Sequence, residues 1–494
     1  MIFMGLISYS RRLADLAAVD PDRPVVTCGA EVLTRAALER RANRFARDLL
    51  ARGVGVGDFV TIALPNSVDW FVAHAACWKI GAVPQQVSAR LPARELREIL
   101  DLAGSKVVIG VDAATLGPEV SALTFVPAGY QPPAALSDEP LPDAVSPAWK
   151  APTSGGSTGR PKLIVAGAPS LIDSDAESMF GLRQNGCLVM PGPLFHNGPI
   201  VWSCEGLMFG NHVVVLPRFD AEATLAAVEA EKAEILYLVP TMMKRILRLP
   251  DAARLRYDLS SLRAVWHLAE PCPSWLKEAW IDWLGPDRIF ELYSGTEAQG
   301  CTIITGAEWL AHRGSVGRPA SGEFMVTDVD GKALTVGQPG EVWMRRTLPA
   351  PTYRYVGSEA RSLGDGWESL GDIGWFDADG YLYLCDRMLD MILCGGSNVY
   401  PAEVEAAIQQ HPAVRSVAVI GLPDQDKGNA VHAIVEADPN DVSAGELMTF
   451  AAERLVAYKL PRTVEFVDVP LRDEAGKMRR SALRDARLAS LQRV

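Results

Sequence analysis

From residue 25 to about 300, short runs of β-branched residues alternate with stretches whose apolar positions keep a helical period. That alternation restricts the chain to sheets covered by helices, an α/β fold, because each element must bury its apolar face against the other kind. Residues 59–64 (FVTIAL) read as a buried strand, Pro65-Asn66 as a turn, and 68–79 as a helix leading to Gly81. Leu38, Ala42, Phe45 and Leu49 place an apolar stripe on the preceding helix. Further strands are expected at 212–216, 235–239, 263–268 and 288–292. After about residue 320, Gly and Asp punctuate β segments such as GEVWMR and GYLYLCDR, so a β-rich piece closes the large domain. A smaller α+β unit follows, with helices at 401–410 and 444–457 and strands at 414–420 and 430–436. Pro401 suits a first helical position, where its missing N–H costs nothing.

The 494 residues exceed what one hydrophobic core organises, so two or more domains are expected. Hydrophobic residues at 48% and charged residues at 22% exclude a disordered or collagen-like chain. A net charge of −12 argues against nucleic-acid binding, which needs clustered Lys and Arg, so any anionic ligand must meet positive charge gathered locally. The eight cysteines are scattered, with no C-x-x-C pair and no zinc spacing, and read as reduced thiols of a cytoplasmic protein. At the N-terminus the positive charges follow the short apolar stretch instead of preceding it, so export is not expected. No apolar run approaches the ~20 residues that span a bilayer. Residues 131–147, rich in Pro, Ala and acidic side chains, form the one linker-like stretch.

Four segments could carry chemistry. Ser154-Gly155-Gly156-Ser157-Thr158-Gly159, followed by Arg160-Pro161-Lys162, combines flexible backbone, hydroxyl donors and positive charge; taken alone it is either a polyphosphate-wrapping loop or a flexible linker. It is not a P-loop, since no G-K-[ST] leads into a helix. Tyr293-Ser294-Gly295-Thr296-Glu297 follows an expected strand, where open α/β sheets collect ligand loops, and its acid suits Mg²⁺ or a solvated turn. Asp372, flanked by Gly371 and Gly374, suits two adjacent hydroxyls, while Asp379-Gly380 reads equally as a hairpin turn. Gly476-Lys477 lies in a basic tail that on spacing alone is a solvated helix face.

In this order and at these separations, the segments resemble the adenylate-forming superfamily of acyl-CoA synthetases, adenylation domains and luciferases. The likeness covers nearly the whole chain and extends to Cys394-Gly395-Gly396-Ser397-Asn398-Val399-Tyr400-Pro401-Ala402-Glu403-Val404-Glu405, which is similar to a motif of that family's small domain. The resemblance implies a large N-terminal domain of residues 1–386 and a small mobile domain of 387–494, with the active site between them. It implies ATP, Mg²⁺ and coenzyme A as cofactors or co-substrates. Ser154, Gly155, Gly156, Ser157, Thr158, Gly159 and Lys162 would hold the β- and γ-phosphates, Thr296 the α-phosphate, and Glu297 the Mg²⁺. Tyr293 would lie against adenine, Asp372 would take the ribose hydroxyls, and Arg387 would add a donor near ribose. Lys477 would bridge the carboxylate and the α-phosphate, and Gly395-Gly396 would line the pantetheine channel. His196, Ile200, Trp202, Trp266, His267 and Gln299 are the implied acyl-pocket residues, which favours a bulky apolar acid.

The expected reaction makes an acyl-adenylate and passes the acyl group to the thiol of coenzyme A. Amide formation with an amine or amino acid, and loading of a carrier protein, share the intermediate and stand as alternatives; a homodimer is an open assembly. Two departures from the family pattern stand out. The hinge position is Leu389 where Asp or Lys is usual, and His267-Leu268-Ala269-Glu270-Pro271 replaces a Gly- and Ala-rich stretch at the adenine edge.

Overall fold

All residues of strands Cys187–Met190, Ile235–Leu238 and Ala264–Leu268 are buried. Strands hidden on both faces belong in a parallel sheet with helices on either side, and the computed structural model shows that arrangement. It describes residues 5–117, 123–155, 161–347, 349–388, 390–394, 397–424, 428–473 and 476–491. Six strands run parallel in the order Pro24–Cys28, His212–Val215, Cys187–Met190, Ile235–Leu238, Ala264–Leu268 and Ile289–Ser294. Beyond the last, the same sheet turns antiparallel through Cys301–Thr305, Ser315–Ser321, Leu382–Arg387, Trp367–Phe376, Gly340–Arg345 and Glu323–Thr327. The β-rich segment expected after residue 320 is therefore a continuation of the main sheet, and it begins earlier, at Cys301.

A second, parallel sheet has the order Val83–Gln86, Phe59–Ile62, Val107–Ile109, Thr124–Val126. Helix Val68–Lys79 starts where Ser67 accepts the Trp70 N–H, and all its residues but Asp69 are buried. Its Lys79 ends 2.6 Å from Glu39, which supplies the opposite charge that a buried ammonium requires. Residues 131–147 are tied down. Arg44 donates to the Leu136 carbonyl and Arg47 to those of Ser137 and Glu139, which fixes the stretch against helix Arg35–Ala51.

The C-terminal part has its own five-stranded sheet, with Ser397–Val399, Ile392–Cys394, Gly428–Glu436 and Ser416–Asp424 in order and Thr463–Val467 paired to Gly428–Glu436. A separate core of Val404, Ile408, Val417, Val419, Val431, Val435 and Leu447 lies beneath it. Helix Pro401–Ile408 has its proline at the first turn, and helix Ala444–Ala452 opens with a reciprocal Ser443–Glu446 capping box. Among the described residues no helix is long and apolar enough to cross a membrane.

One buried ion pair joins a covering helix to the parallel sheet. Lys277 of helix Ser274–Leu284 lies 2.6 Å from Glu291 of strand Ile289–Ser294, and the lysine side chain is fully buried. Lys277→Met should strand the Glu291 carboxylate and destabilise the large domain by about 3–5 kcal/mol, read as a lower urea midpoint. Removing both charges, as in Lys277→Met with Glu291→Leu, should cost less than the single change; an equal or larger loss contradicts this account.

Candidate active site at the carboxyl edge of the parallel sheet

Strands Cys187–Met190, Ile235–Leu238, Ala264–Leu268 and Ile289–Ser294 are parallel, so the loops after them emerge on one edge, where open α/β sheets take their ligands. At that edge stand His196, Thr241 in the first turn of helix Pro240–Leu247, Glu270, and the run from Tyr293 at the end of its strand to Glu297. Ala298 adopts a left-handed conformation at φ 54°, which folds the chain back directly after Glu297.

Glu297 is the best-anchored group there. Tyr355 Oη donates to its Oε1 at 2.5 Å, and Lys162 Nζ stands 3.8 Å from the same oxygen and 3.7 Å above the Tyr355 ring. Thr352 Oγ1 donates to the Glu297 carbonyl at 2.8 Å. Burial, and then the Glu297 charge, push the Tyr355 phenol far up, so it stays a donor. Tyr293 Oη donates to Asp372 Oδ2 at 2.6 Å, and Asp372 is the register partner of Arg387 on the adjacent antiparallel strand. Gly371, at φ 82°, turns the chain just before Asp372. Gln299 Nε2 donates to Glu368 Oε2, which also accepts from Tyr353 Oη, both at 2.8 Å. Thr296 is half-buried in the same turn.

His196 caps helix Asn197–Met208, and its Nε2 is buried with no hydrogen-bond partner among the described residues. Burial, and then the charge of Lys477, hold its pKa well below the usual imidazole value, so the ring is neutral at pH 7. The charge of Lys477, in the C-terminal part, thus acts on a residue of the large domain. Its loop is shaped by Asp473, whose Oδ1 accepts the Lys477 N–H at 2.9 Å.

Behind His196, Ile200 is fully buried and Trp202 stacks on Phe180 at 3.9 Å. Trp266 meets Trp202 at 5.8 Å and donates its indole N–H to the Phe180 carbonyl at 3.0 Å. His267 does not join them. Successive side chains of a strand point to opposite faces, and the His267 ring faces Glu291 at 3.9 Å beside Lys277, on the side covered by helix Ser274–Leu284. The pleat thus places Trp266 and His267 on opposite faces of the sheet. Gly156, Ser157, Thr158, Gly159, Leu389, Gly395 and Gly396 lie outside the described residues, as do the side chains of Ser154, Gly155 and Arg387.

A family model described as AMP-binding enzyme matches residues 13–354, and the AMP-binding enzyme C-terminal domain matches 403–477. The chain belongs to the AMP-binding enzyme family. This AMP-binding enzyme is 32% identical over 480 residues to the long-chain-fatty-acid–CoA ligase FadD13 of Mycobacterium tuberculosis, covering 92% of this chain and 93% of that one. It is 33% identical over 507 residues to a feruloyl-CoA synthase of Amycolatopsis sp, covering 97% and 98%. Its fold is similar to o-succinylbenzoate CoA synthetase (MenE) of Bacillus subtilis in complex with the acyl-adenylate OSB-AMP. There the TM-score is 0.81 at 26% identity, with 97% and 98% covered.

The cleft of this AMP-binding enzyme fits a magnesium-bound nucleotide on its donor set alone. Lys162, Lys477 and Lys150 gather around Glu297 and His196 in a chain of net charge −12. Sequence reasoning missed Lys150, which looks like one lysine in an unremarkable loop and carries no motif. It is 6% exposed and donates to Asn197 Oδ1, at the start of the helix that His196 caps. Burial pulls its pKa down to about 7, against the opposing pull of Cys204 and Glu297.

The sign of that shift gives a test. An unfolded lysine holds its proton to about pH 10.4, while folded Lys150 releases it near 7. Between those values the unfolded state binds more protons, so this group makes stability rise with pH. Wild-type stability should gain on that of Lys150→Met as pH goes from about 7 to about 10 in urea titrations. A gap that stays flat across the window would show that Lys150 is not a buried amine.

Proposed function

We propose that this AMP-binding enzyme joins a bulky apolar carboxylic acid to AMP in the cleft between its two domains and passes the acyl group to the thiol of coenzyme A. The observation that carries the reading is the packing of Gly476, the residue before Lys477, against Glu270 of the large domain, with the Lys477 charge acting on His196 near the Glu297–Tyr355–Lys162 cluster. Attack of a carboxylate on the α-phosphate of ATP builds negative charge between two anions, and a preplaced ammonium lowers that barrier where water would have to reorganise. Lys477 is assigned that place, bridging carboxylate and α-phosphate, with Thr296 donating to the α-phosphate. Glu297 would hold Mg²⁺, which neutralises phosphate charge when bound, and Lys162 with the loop at 154–159 would take the outer phosphates. Asp372, already ordered by Tyr293, would receive the ribose hydroxyls with Arg387 beside it.

The neutral imidazole of His196 and the Phe180–Trp202–Trp266 cluster behind it favour an apolar, cyclic or aromatic acyl body. Coenzyme A is the acceptor favoured by the two CoA-forming relatives, each matched over nearly the full chain. We place the domain boundary between residues 386 and 387 and the enzyme in the cytoplasm, in keeping with eight free cysteines.

Pyrophosphate exchange with benzoate, cinnamate, cyclohexanecarboxylate and octanoate, followed by product analysis with coenzyme A or an amino acid, tests the reading. Exchange and thioester formation should both be seen, fastest with the cyclic or aromatic acids. Amide formed from the amino acid at a rate equal to or above thioester formation would replace coenzyme A with an amine as acceptor. Lys477→Ala should lower exchange ~10²–10³-fold while acyl-AMP supplied ready-made still reacts with coenzyme A. Asp372→Ala should weaken ATP binding far more than acid binding by calorimetry, and equal weakening would point to general disruption of the turn at Gly371.

A further inference from the structure

Glu270 stands where the chain departs from the Gly- and Ala-rich pattern it otherwise resembles, and its side chain is only 6% exposed. It follows strand Ala264–Leu268 through Ala269, which takes the left-handed conformation at φ 73°. Thr241, after the neighbouring parallel strand, donates to Glu270 Oε2 at 2.9 Å. On its other side Glu270 meets the C-terminal part. Arg472 Nη1 lies 3.6 Å from the same oxygen, and Arg472 Nη2 lies 3.5 Å from Glu405 of helix Pro401–Ile408. The Arg472 Nη1 group also donates to the Gly476 carbonyl at 2.9 Å, so one guanidinium ties Glu270 to the residue before Lys477.

Gly476 makes the fit tighter still. Its φ is 77°, and a Cβ built on it would fall 1.3 Å from Glu270 Oε1. The carboxylate thus occupies the space that only glycine leaves open, directly against the backbone that presents Lys477. Hydrogen bonds from Gly476 N to Asp473 O and from Asp473 N to Lys477 O tie Gly476 and Lys477 to Asp473, next to Arg472. Burial raises the Glu270 carboxyl to about 7, opposed by Arg472. A carboxylate so placed depends on its cationic partner to stay ionised.

We propose that Glu270 is a positioning residue for the adenylation half-reaction, seating Arg472 and Gly476 so that the Lys477 ammonium is held at the reacting atoms. The assignment rests on the acid-activation reading above. It accounts for why an acidic residue stands at the nucleotide edge of a site that must bind a polyanion: the charge is spent on Arg472 rather than left facing the phosphates. Glu270 is not expected to touch substrate.

The test separates the half-reactions in the intact enzyme, using the acid that exchanges fastest in the panel above and its synthetic acyl-AMP. Glu270→Gln should lower acid-dependent pyrophosphate exchange about 10-fold or more, in line with loss of a hydrogen-bonded charge, while coenzyme A capture of supplied acyl-AMP stays within about twofold of wild type. Arg472→Met, made in the other domain, should produce the same split, and the double variant should lose no more than the worse single one. Glu270→Asp, which restores the charge on a shorter arm, should recover part of the exchange. Full exchange in Glu270→Gln, an equal fall in both half-reactions, or additive losses in the double variant would each overturn the assignment alone. Absence of exchange in wild type with every acid would overturn the acid-activation reading, and the assignment with it.

Discussion

A parallel sheet covered by helices on both faces leaves polar chemistry one place to go, the edge where the strands end at their carboxyl termini. The whole cleft depends on this. His196, Thr241, Glu270 and the Tyr293–Glu297 run follow four different strands or end them, yet they gather at one edge because those strands run side by side in one direction. The same geometry decides which residues are excluded. Trp266 and His267 are neighbours in sequence, but the pleat sends one to the aromatic cluster behind the cleft and the other to the Lys277–Glu291 pair under a covering helix.

Charge placement separates framework from function. Inside the large domain, Lys79 and Lys277 are buried with a carboxylate at 2.6 Å, which stabilises both members of each pair. Lys150 is also buried but has a neutral amide as its hydrogen-bonding partner, so burial favours its uncharged form. Cations also dock the C-terminal part: Lys244 lies 3.3–3.5 Å from the carbonyls of Gln409, Val414 and Arg415, and Arg248 donates to the Val414 carbonyl at 2.6 Å. These contacts use backbone acceptors, whereas Glu270 and Arg472 use paired charges beside Gly476, the residue before Lys477. The segment that carries Lys477 thus lies on a docked surface.

Much of this was legible in the sequence. Helix Val68–Lys79 and strands His212–Val215, Ile235–Leu238 and Ala264–Leu268 lie within a residue or two of expectation, because continuous apolar runs bounded by turn residues report burial on both faces directly. The meeting of Tyr293 with Asp372, and of Lys162 with Glu297, could be anticipated only through family resemblance, since nothing local to 293 announces a partner 79 residues away. Other features were hidden. Strand Thr463–Val467 is short and only partly buried, and it is stabilised by pairing with Gly428–Glu436 and not by its own pattern. Lys150 and Arg472 look like surface cations until the fold closes over them, because burial of a long charged side chain is a tertiary property. Glu270 was visible as a departure, but its partner became apparent only when the C-terminal turn was seen lying against it.

The central claim is that the acid becomes an acyl-adenylate in this cleft before any acceptor reacts, and oxygen transfer tests it directly. An accepted acid labelled with ¹⁸O in its carboxylate, turned over with ATP, Mg²⁺ and coenzyme A, should leave one labelled oxygen in the AMP released, with pyrophosphate unlabelled. That result requires the acid's own oxygen to have bonded to the α-phosphate. Label appearing instead in inorganic phosphate, together with ADP, would place the attack on the γ-phosphate and contradict the account.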